Sequence, residues 1–240
     1  MTTPSEKPKI IYVMDPLCGW CYGNNRTMQT VYDTYRGQVD FQVLPGGLWT
    51  GDHTRVQSPG MTSYFLRHDQ AIHDRSGMVF GSPYLDLIRQ HEIVLDSEVP
   101  SRAIVTVQHH WPEHNVRFAL GVVALRFREG LDVNREAAYL PLCEQLGIPP
   151  DDFLAAFRGA AARSRTQETF RMARGYASGF PTLLLQTGDV TQVLKAVTHP
   201  RRRSPGRSMP CCSALRVMAN EIPYRSWPGG SVGTPSLGQG

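Results

Sequence analysis

Two cysteines separated by two residues give the strongest chemical signal in this sequence. Cys18 and Cys21 enclose Gly19 and Trp20 in the motif C-G-W-C. In such a motif one thiolate can attack a disulfide, and the second thiol can then resolve the mixed disulfide. At the start of a helix, free backbone N–H groups and the helix dipole favour the thiolate of the first cysteine. Gly19 allows close backbone approach, and Trp20 adds a flat apolar surface near the sulfurs.

The elements around this motif predict a βαβ unit. Residues 9–14 (KIIYVM) form a short apolar, β-branched run that predicts a buried strand. Asp15-Pro16-Leu17 breaks that strand, and residues 18–36 then show helical spacing of apolar side chains. Residues 39–44 alternate as a second strand. The two cysteines are therefore predicted at the N-terminus of the crossover helix.

The following region is predicted to be mainly helical. Ser97 and Asn134 are predicted to cap helices, and Gly147 is predicted to end the second of these. Strand signals return at 182–186, followed by a turn at 187–189 and a return strand over 190–197. The predicted helices cover about 58–73, 82–91, 97–110, 113–128, 134–146, 149–157 and 164–176.

Charge and composition change at residue 199. Residues 199–240 carry six arginines and one acidic residue, a net charge of +5, whereas the preceding 198 residues sum to −1. Proline, glycine and serine make up 18 of these 42 residues, so the segment is predicted to be a basic, poorly ordered tail. A nucleic-acid footprint over the whole protein is not supported. The 41% hydrophobic content of the chain is enough for a sizeable core.

The cysteine count argues against a disulfide framework. Five cysteines are present, and the first ten residues lack the apolar stretch of a signal peptide, which predicts a cytoplasmic protein. No apolar run approaches the ~20 residues of a membrane span. Cys143 is interpreted as a core residue. No metal is expected, because no second C-x-x-C or H-x₃₋₅-H supplies the missing ligands.

The sequence resembles the DsbA-like branch of the thioredoxin superfamily. The resemblance rests on D-P-L-C-G-W-C between a strand and a helix, the helical region, and G-F-P-T-L-L at 179–184. It implies an α/β fold in which a thioredoxin-like core, residues 5–50 and 177–198, carries an inserted all-helical domain, residues 55–176. Residues 199–240 would follow as the tail.

The resemblance also implies roles for individual residues. Cys18 would be the attacking thiolate and Cys21 the resolving thiol. Pro181 would follow a cis peptide bond and face the motif, and Phe180 would flank the sulfurs. Thr182 would complete the wall that shapes the substrate site, together with Gly19 and Trp20. The implied activity is thiol–disulfide exchange on protein or small-molecule disulfides. No bound cofactor is required, since the dithiol carries two electrons, and glutathione is a candidate co-substrate.

Two departures from the family pattern limit what the resemblance implies. Gly-Trp stands where the periplasmic oxidants have Pro-His, so a strongly oxidising potential is not carried over. Residues 199–240 do not have the pattern of the family's closing strand and helix; the segment is either a divergent end or the product of a frame change.

Two other functions remain open on the sequence. One is a non-catalytic adaptor or chaperone with a thioredoxin fold, which would keep its activity without the cysteines. The other is a glutathione-dependent transferase or isomerase, which would need a single nucleophile. The recycling redox partner and the direction of exchange are not specified by the residues.

Overall fold

A computed structural model describes residues 7–196 of the chain, except for the side chains of residues 195 and 196. The strands are β1 (Lys9–Met14), β2 (Asp40–Pro45), β3 (Arg55–Val56), β4 (Val94–Leu95), β5 (Thr182–Thr187) and β6 (Val190–Ala196). The helices are α1 (Gly19–Gly23), α2 (Asn25–Tyr35), α3 (Pro59–Ser76), α4 (Ser82–Leu87), α5 (Glu98–His110), α6 (Asn115–Phe127), α7 (Leu140–Leu146), α8 (Pro150–Arg158) and α9 (Ala160–Tyr176). Short 3-10 turns cover Gly51–His53, Pro112–His114 and Glu136–Tyr139.

The main sheet joins the two ends of the described segment. Its strand order is β2-β1-β5-β6. β1 pairs in parallel with β2 and antiparallel with β5, which begins 168 positions after the end of β1. β5 and β6 form the predicted hairpin, with Gly188 at φ +57° in its turn. The predicted βαβ unit is confirmed, because α1 and α2 connect the parallel strands β1 and β2.

The inserted helices pack on this sheet and on α1. One core cluster combines Ile11 and Val13 of β1, Leu44 of β2 and Leu184 of β5 with Ala173 of α9. α5 and α6 also contact β2, and α3 packs against α1. The predicted fold class, a thioredoxin-like α/β core with a helical insertion, agrees with this arrangement; the domain boundaries given above remain predictions. The predicted tail at 199–240 lies outside the described residues.

The predicted helix over 18–36 is divided into two. α1 ends at Gly23, and the Asn24 amide donates to the carbonyls of both Trp20 and Cys21, at 3.1 Å each. A Cβ atom on Gly23 would lie 2.7 Å from Cγ2 of Ile72 in α3. The amphipathic pattern runs on through this junction, so sequence periodicity alone does not reveal it.

Ser97 occupies the predicted N-cap position of α5 without a side-chain capping bond, the predicted Asn134 cap is wrong, and the predicted glycine stop is confirmed. The Ser97 hydroxyl makes no capping bond to α5; it bonds to a distant loop instead. Asn134 precedes a 3-10 turn and uses its side-chain amide to reach the carbonyl of Val94. Gly147 ends α7 with φ +72°, a left-handed conformation that glycine adopts readily.

The short β3–β4 ribbon was not predicted. Arg55 pairs with Leu95 and Val56 with Val94. Two-residue strands are too short to show an alternating pattern, so the sequence gives no signal for them. Within the described part of the chain, no helix has both the length and the apolar character needed to cross a membrane.

Candidate functional site

Cys18 occupies the N-cap of α1, so the motif lies at a helix start as predicted. Its backbone is extended (φ −90°, ψ 114°), and its carbonyl accepts from the amides of Cys21 (3.0 Å) and Tyr22 (3.2 Å). The turn before it is closed by a bond from the Cys18 amide to the Asp15 carbonyl, at 3.1 Å. The strand end, the turn and the first helical turn therefore hold the Cys18 backbone in place.

The two sulfurs differ in accessibility and in acidity. Cys18 is 9% exposed and Cys21 is fully buried. Burial, together with the neighbouring Cys18, raises the pKa of the Cys21 thiol well above its ordinary value. Both are free thiols within reach of one another. Cys18 thus keeps a small exposed fraction, whereas Cys21 is fully enclosed and its thiol stays protonated.

The turn into β5 faces Cys18 across the site. The peptide bond between Phe180 and Pro181 is cis, which confirms what the resemblance implied. The Cys18 thiol lies 3.8 Å from the Phe180 carbonyl oxygen. Thr182 begins β5, and its hydroxyl donates to the Gly179 carbonyl at 2.8 Å. The structure thus brings 179–182 next to Cys18, although they are 161–164 positions apart in sequence.

The Phe180 ring packs directly on a glycine of the loop after β2. A Cβ atom on Gly46 would lie 2.0 Å from Cζ and 2.1 Å from Cε1 of that ring. The Gly46 amide donates to the Met14 carbonyl at 2.8 Å, which fixes the loop against the end of β1. Gly46 therefore determines how closely the Phe180 ring can approach the sheet.

The buried Asp15, which the sequence pattern marked only as part of a turn, links three segments of the chain beside the motif. Its buried carboxylate accepts from the amides of Leu17 (2.9 Å) and Leu48 (2.7 Å) and from the Ser97 hydroxyl (2.9 Å). Its own amide points at Sγ of Cys21, 3.4 Å away. Burial raises the pKa of Asp15 to about 6, and these hydrogen bonds limit the rise. The only sequence signal for this role of Asp15 was the Asp-Pro pair before the motif, and the turn propensity of that pair explained its presence equally well.

Two further buried polar residues near the motif were also missed. Tyr12 of β1 is buried close to Cys21, and burial with the adjacent cysteines raises its pKa. Asp69 of α3 lies beside Gly19, at 3.5 Å from the position of a Cβ atom on that glycine. The sequence analysis placed Tyr12 in a buried strand and Asp69 in a helix, and neither position carried a local signal for a role near the motif.

Two predicted site residues, Gly19 and Trp20, lie within the motif, and the predicted core cysteine, Cys143, lies in a different helix. Gly19 begins α1, and Trp20 is half-buried in its first turn. Cys143 lies in α7, buried, and burial raises its pKa to about 12. Among residues 7–196, no group of three or more His, Cys, Asp or Glu side chains could hold a metal ion.

Solved structures supply the comparison for this fold, since neither a family model nor a curated protein matches the chain. A candidate protein disulfide isomerase from Nitrosomonas europaea superposes with a TM-score of 0.74 at 24% identity, covering 90% of this chain and 97% of that one. The cytosolic disulfide reductase DsbM from Pseudomonas aeruginosa gives a TM-score of 0.66 at 28% identity, covering 78% and 89%. A candidate DsbA oxidoreductase from Streptomyces coelicolor gives 0.61 at 13% identity, covering 94% of each chain.

The chain has the DsbA-like thioredoxin fold. The fold class predicted from the sequence is confirmed, and the predicted resemblance is confirmed at the level of the fold. In this DsbA-like chain the cysteine motif, the cis-proline turn and the buried Asp15 meet at one edge of the sheet. The arrangement places a slightly exposed first cysteine beside a protonated second thiol, an order that suits a two-step exchange.

Proposed function

We propose that this chain is a thiol–disulfide oxidoreductase that works by dithiol–disulfide exchange. The observation that carries the proposal is the pairing of Cys18, which keeps 9% of its surface exposed, with a fully buried, protonated Cys21 at one helix start, opposite the cis-proline turn. The oxidoreductases among the solved structures of the same fold support this general activity.

The exchange proceeds in two balanced steps. The Cys18 thiolate attacks one sulfur of the substrate disulfide, which forms a mixed disulfide and releases the first substrate thiolate. Cys21 then loses its proton and attacks Sγ of Cys18, which forms the Cys18–Cys21 disulfide and releases the second substrate thiolate. Two electrons pass to the substrate, and the reverse sequence oxidises a dithiol.

The substrate class and the reductant belong to the same proposal. Disulfides of proteins or of small thiols are the substrates, and two thiols of glutathione return the pair to its reduced state. A structure of the Pseudomonas aeruginosa reductase with glutathione supports this choice. No bound organic cofactor is needed. The proposal includes a cytoplasmic location, which the description of that reductase as cytosolic supports.

Turnover of a model disulfide by single-cysteine variants tests this function. Purified chain is supplied with glutathione and either insulin or a small mixed disulfide, and substrate reduction is followed. Cys18→Ser should abolish turnover. Cys21→Ser should lose dithiol turnover but accumulate a mixed disulfide at Cys18, visible by intact mass. Cys143→Ser is the control and should behave as the parent chain.

Two outcomes would support the other functions instead. Full activity of Cys21→Ser would indicate a single-nucleophile transferase or isomerase. Full chaperone or binding activity in the variant without both cysteines, together with no disulfide reduction by the parent chain, would indicate an adaptor.

A further inference from the structure

A buried carboxylate of the inserted helices lies next to the cysteine motif and has no part in the exchange described above. Asp69 belongs to α3 and is only 7% exposed. Its Oδ1 lies 3.5 Å from where a Cβ atom of Gly19 would stand, and Gly19 directly follows Cys18. The charge of this carboxylate is therefore close to the backbone that carries the attacking sulfur.

The packing of α3 on α1 fixes where this carboxylate lies. Its second oxygen, Oδ2, accepts a hydrogen bond of 3.0 Å from the buried Tyr84 hydroxyl of α4. A Cβ atom on Gly19 would also lie 2.9 Å from Cδ1 of Ile72, one turn after Asp69 in α3. The glycine between the cysteines thus permits the close approach of the helix that carries Asp69.

The charged and titratable groups around Asp69 come from three elements. Tyr84 of α4 donates the hydrogen bond, and Arg126 of α6 supplies a buried positive charge, with its guanidinium carbon 6.0 Å from the centre of the Tyr84 ring. The N-cap and first turn of α1 supply Cys18 and Cys21, and buried Asp15, in the turn before them, also acts on the Cys21 thiol. Burial raises the pKa of Asp69 to about 6, while Tyr84 and Arg126 lower it. The carboxyl group is mainly ionised at pH 7.5 and mainly protonated at pH 5.

The two redox states of the motif respond differently to a nearby negative charge. A thiolate at Cys18 is repelled by an ionised carboxylate, whereas the disulfide is neutral and is not. An ionised Asp69 therefore destabilises the reduced state when it contains the thiolate. A less stable reduced state donates its electrons more readily.

We propose that Asp69 is a positioning residue which, through its charge beside Gly19, disfavours the Cys18 thiolate and moves the Cys18–Cys21 pair toward the reducing direction. The proposal rests on the oxidoreductase function proposed above. Asp69 acts on the cysteine pair and does not contact the substrate. It links the inserted helical region to the direction of exchange, which the motif alone leaves open.

The test is the equilibrium of the full chain with reduced and oxidised glutathione at several pH values between 5 and 8. Asp69→Asn keeps an oxygen to accept from Tyr84 and removes the charge. At pH 7.5 it should shift the equilibrium at least about threefold toward the reduced protein, equal to ~14 mV in potential. Thiolate absorbance should rise at the same pH. The difference from the parent chain should disappear at pH 5.

Asp74→Asn is the matched control, since Asp74 is exposed on the same helix and bonds only to Gln70 in the described contacts. It should leave the equilibrium within about 1.5-fold of the parent value, as expected for a screened surface charge. An unshifted equilibrium for Asp69→Asn at pH 7.5 would overturn the proposal. A shift of equal size at pH 5 and pH 7.5 would also overturn it, because altered packing and not charge would then be the cause.

Tyr84→Phe provides a second test that does not depend on the folding of Asp69→Asn. Removal of the hydroxyl takes away a hydrogen bond that lowers the pKa of Asp69. The glutathione equilibrium should therefore respond to the ionisation of Asp69 at a higher pH in this variant than in the parent chain. The same pH dependence in both proteins would contradict the proposal. If the parent chain forms no reversible Cys18–Cys21 disulfide, the proposed function itself fails. If that disulfide forms and Asp69→Asn leaves its equilibrium with glutathione unchanged, only this inference fails.

Discussion

At the scale of single residues, the buried carboxylate of Asp15 has the most connections in the site. It holds the turn before Cys18, the loop after β2 and the start of α5, and its amide contacts Sγ of Cys21. Its folded pKa of about 6 lies above the ordinary 3.8, because burial disfavours the charged form. The unfolded chain therefore loses this proton at lower pH than the folded chain does.

Asp15→Asn should change the pH dependence of stability. The folded chain holds the Asp15 proton more tightly than the unfolded chain does. The stabilisation of the folded state that results is fully present below pH 3.8 and is lost as the pH rises through about 6. Between pH 4 and pH 7 the free energy of unfolding of the parent should therefore fall, relative to the variant, by up to about 3 kcal/mol. Urea unfolding of the fully reduced proteins measures this difference.

The control for this prediction is Asp40→Asn, at an exposed position at the start of β2. It should follow the parent chain at every pH. Parallel stability profiles for Asp15→Asn and the parent would show that Asp15 does not titrate in this range.

The sequence predicts the role of a residue when the partners of that residue are close to it in the chain. Cys18 and Cys21 are three positions apart, so their spacing alone indicated their chemistry. Asp15 receives its bonds from Leu48 and Ser97, which are 33 and 82 positions away. No local pattern records such contacts, and a D-P pair serves turns without any function as well.

At the scale of elements, the turn into β5 depends on the loop after β2. The Phe180 ring fills the space directly over Gly46, and the Phe180 carbonyl is 3.8 Å from Sγ of Cys18. Any side chain at position 46 must displace the ring or the loop. The position of the cis-proline turn relative to the motif is thus coupled to one glycine.

Gly46→Ala should destabilise the protein by about 1–3 kcal/mol and slow the exchange reaction. The added methyl group would meet ring atoms at about 2 Å, and the resulting shift would move the turn away from Cys18. Chemical denaturation and the rate of disulfide reduction are the two readouts. Gly37→Ala is the control, since nothing lies within 4 Å of its Cβ position; equal effects of both variants would refute the coupling.

Sequence periodicity predicted the long elements well and the short ones poorly. β1 was predicted with its observed limits, because five consecutive apolar or aromatic residues follow Lys9 and end at the Asp15-Pro16 break. The β3–β4 ribbon and the division between α1 and α2 were missed. Both depend on contacts between distant segments, such as Gly23 against Ile72, and not on local spacing.

At the scale of the whole molecule, Ser97 connects the helical insertion to the sheet through hydrogen bonds. Its hydroxyl donates to Asp15 (2.9 Å) and accepts from the Trp49 amide (3.1 Å), and its own amide donates to the Trp49 carbonyl (2.7 Å). The start of α5 is therefore bound to the end of β1 and to the loop after β2. Only the tertiary structure shows this role, since the sequence indicated a helix cap.

Ser97→Ala should lower the free energy of unfolding by about 1–3 kcal/mol. It leaves the Trp49 amide without its hydroxyl acceptor and removes one donor from buried Asp15. The matched control is Ser101→Ala, one turn later in α5, where the buried hydroxyl has no hydrogen-bond partner. That variant should change stability by less than about 0.5 kcal/mol, and a Ser97→Ala variant as stable as Ser101→Ala would exclude the proposed tie.

The redox behaviour of the cysteine pair tests the proposed function most directly. The full chain is equilibrated in glutathione buffers of graded potential, alkylated, digested and weighed, so that each cysteine is followed separately. We expect Cys18 and Cys21 to lose their free thiols together in one reversible two-electron transition, while Cys143 stays unpaired. Independent alkylation of Cys18 and Cys21 at every potential, with no disulfide between them, would contradict the function proposed here.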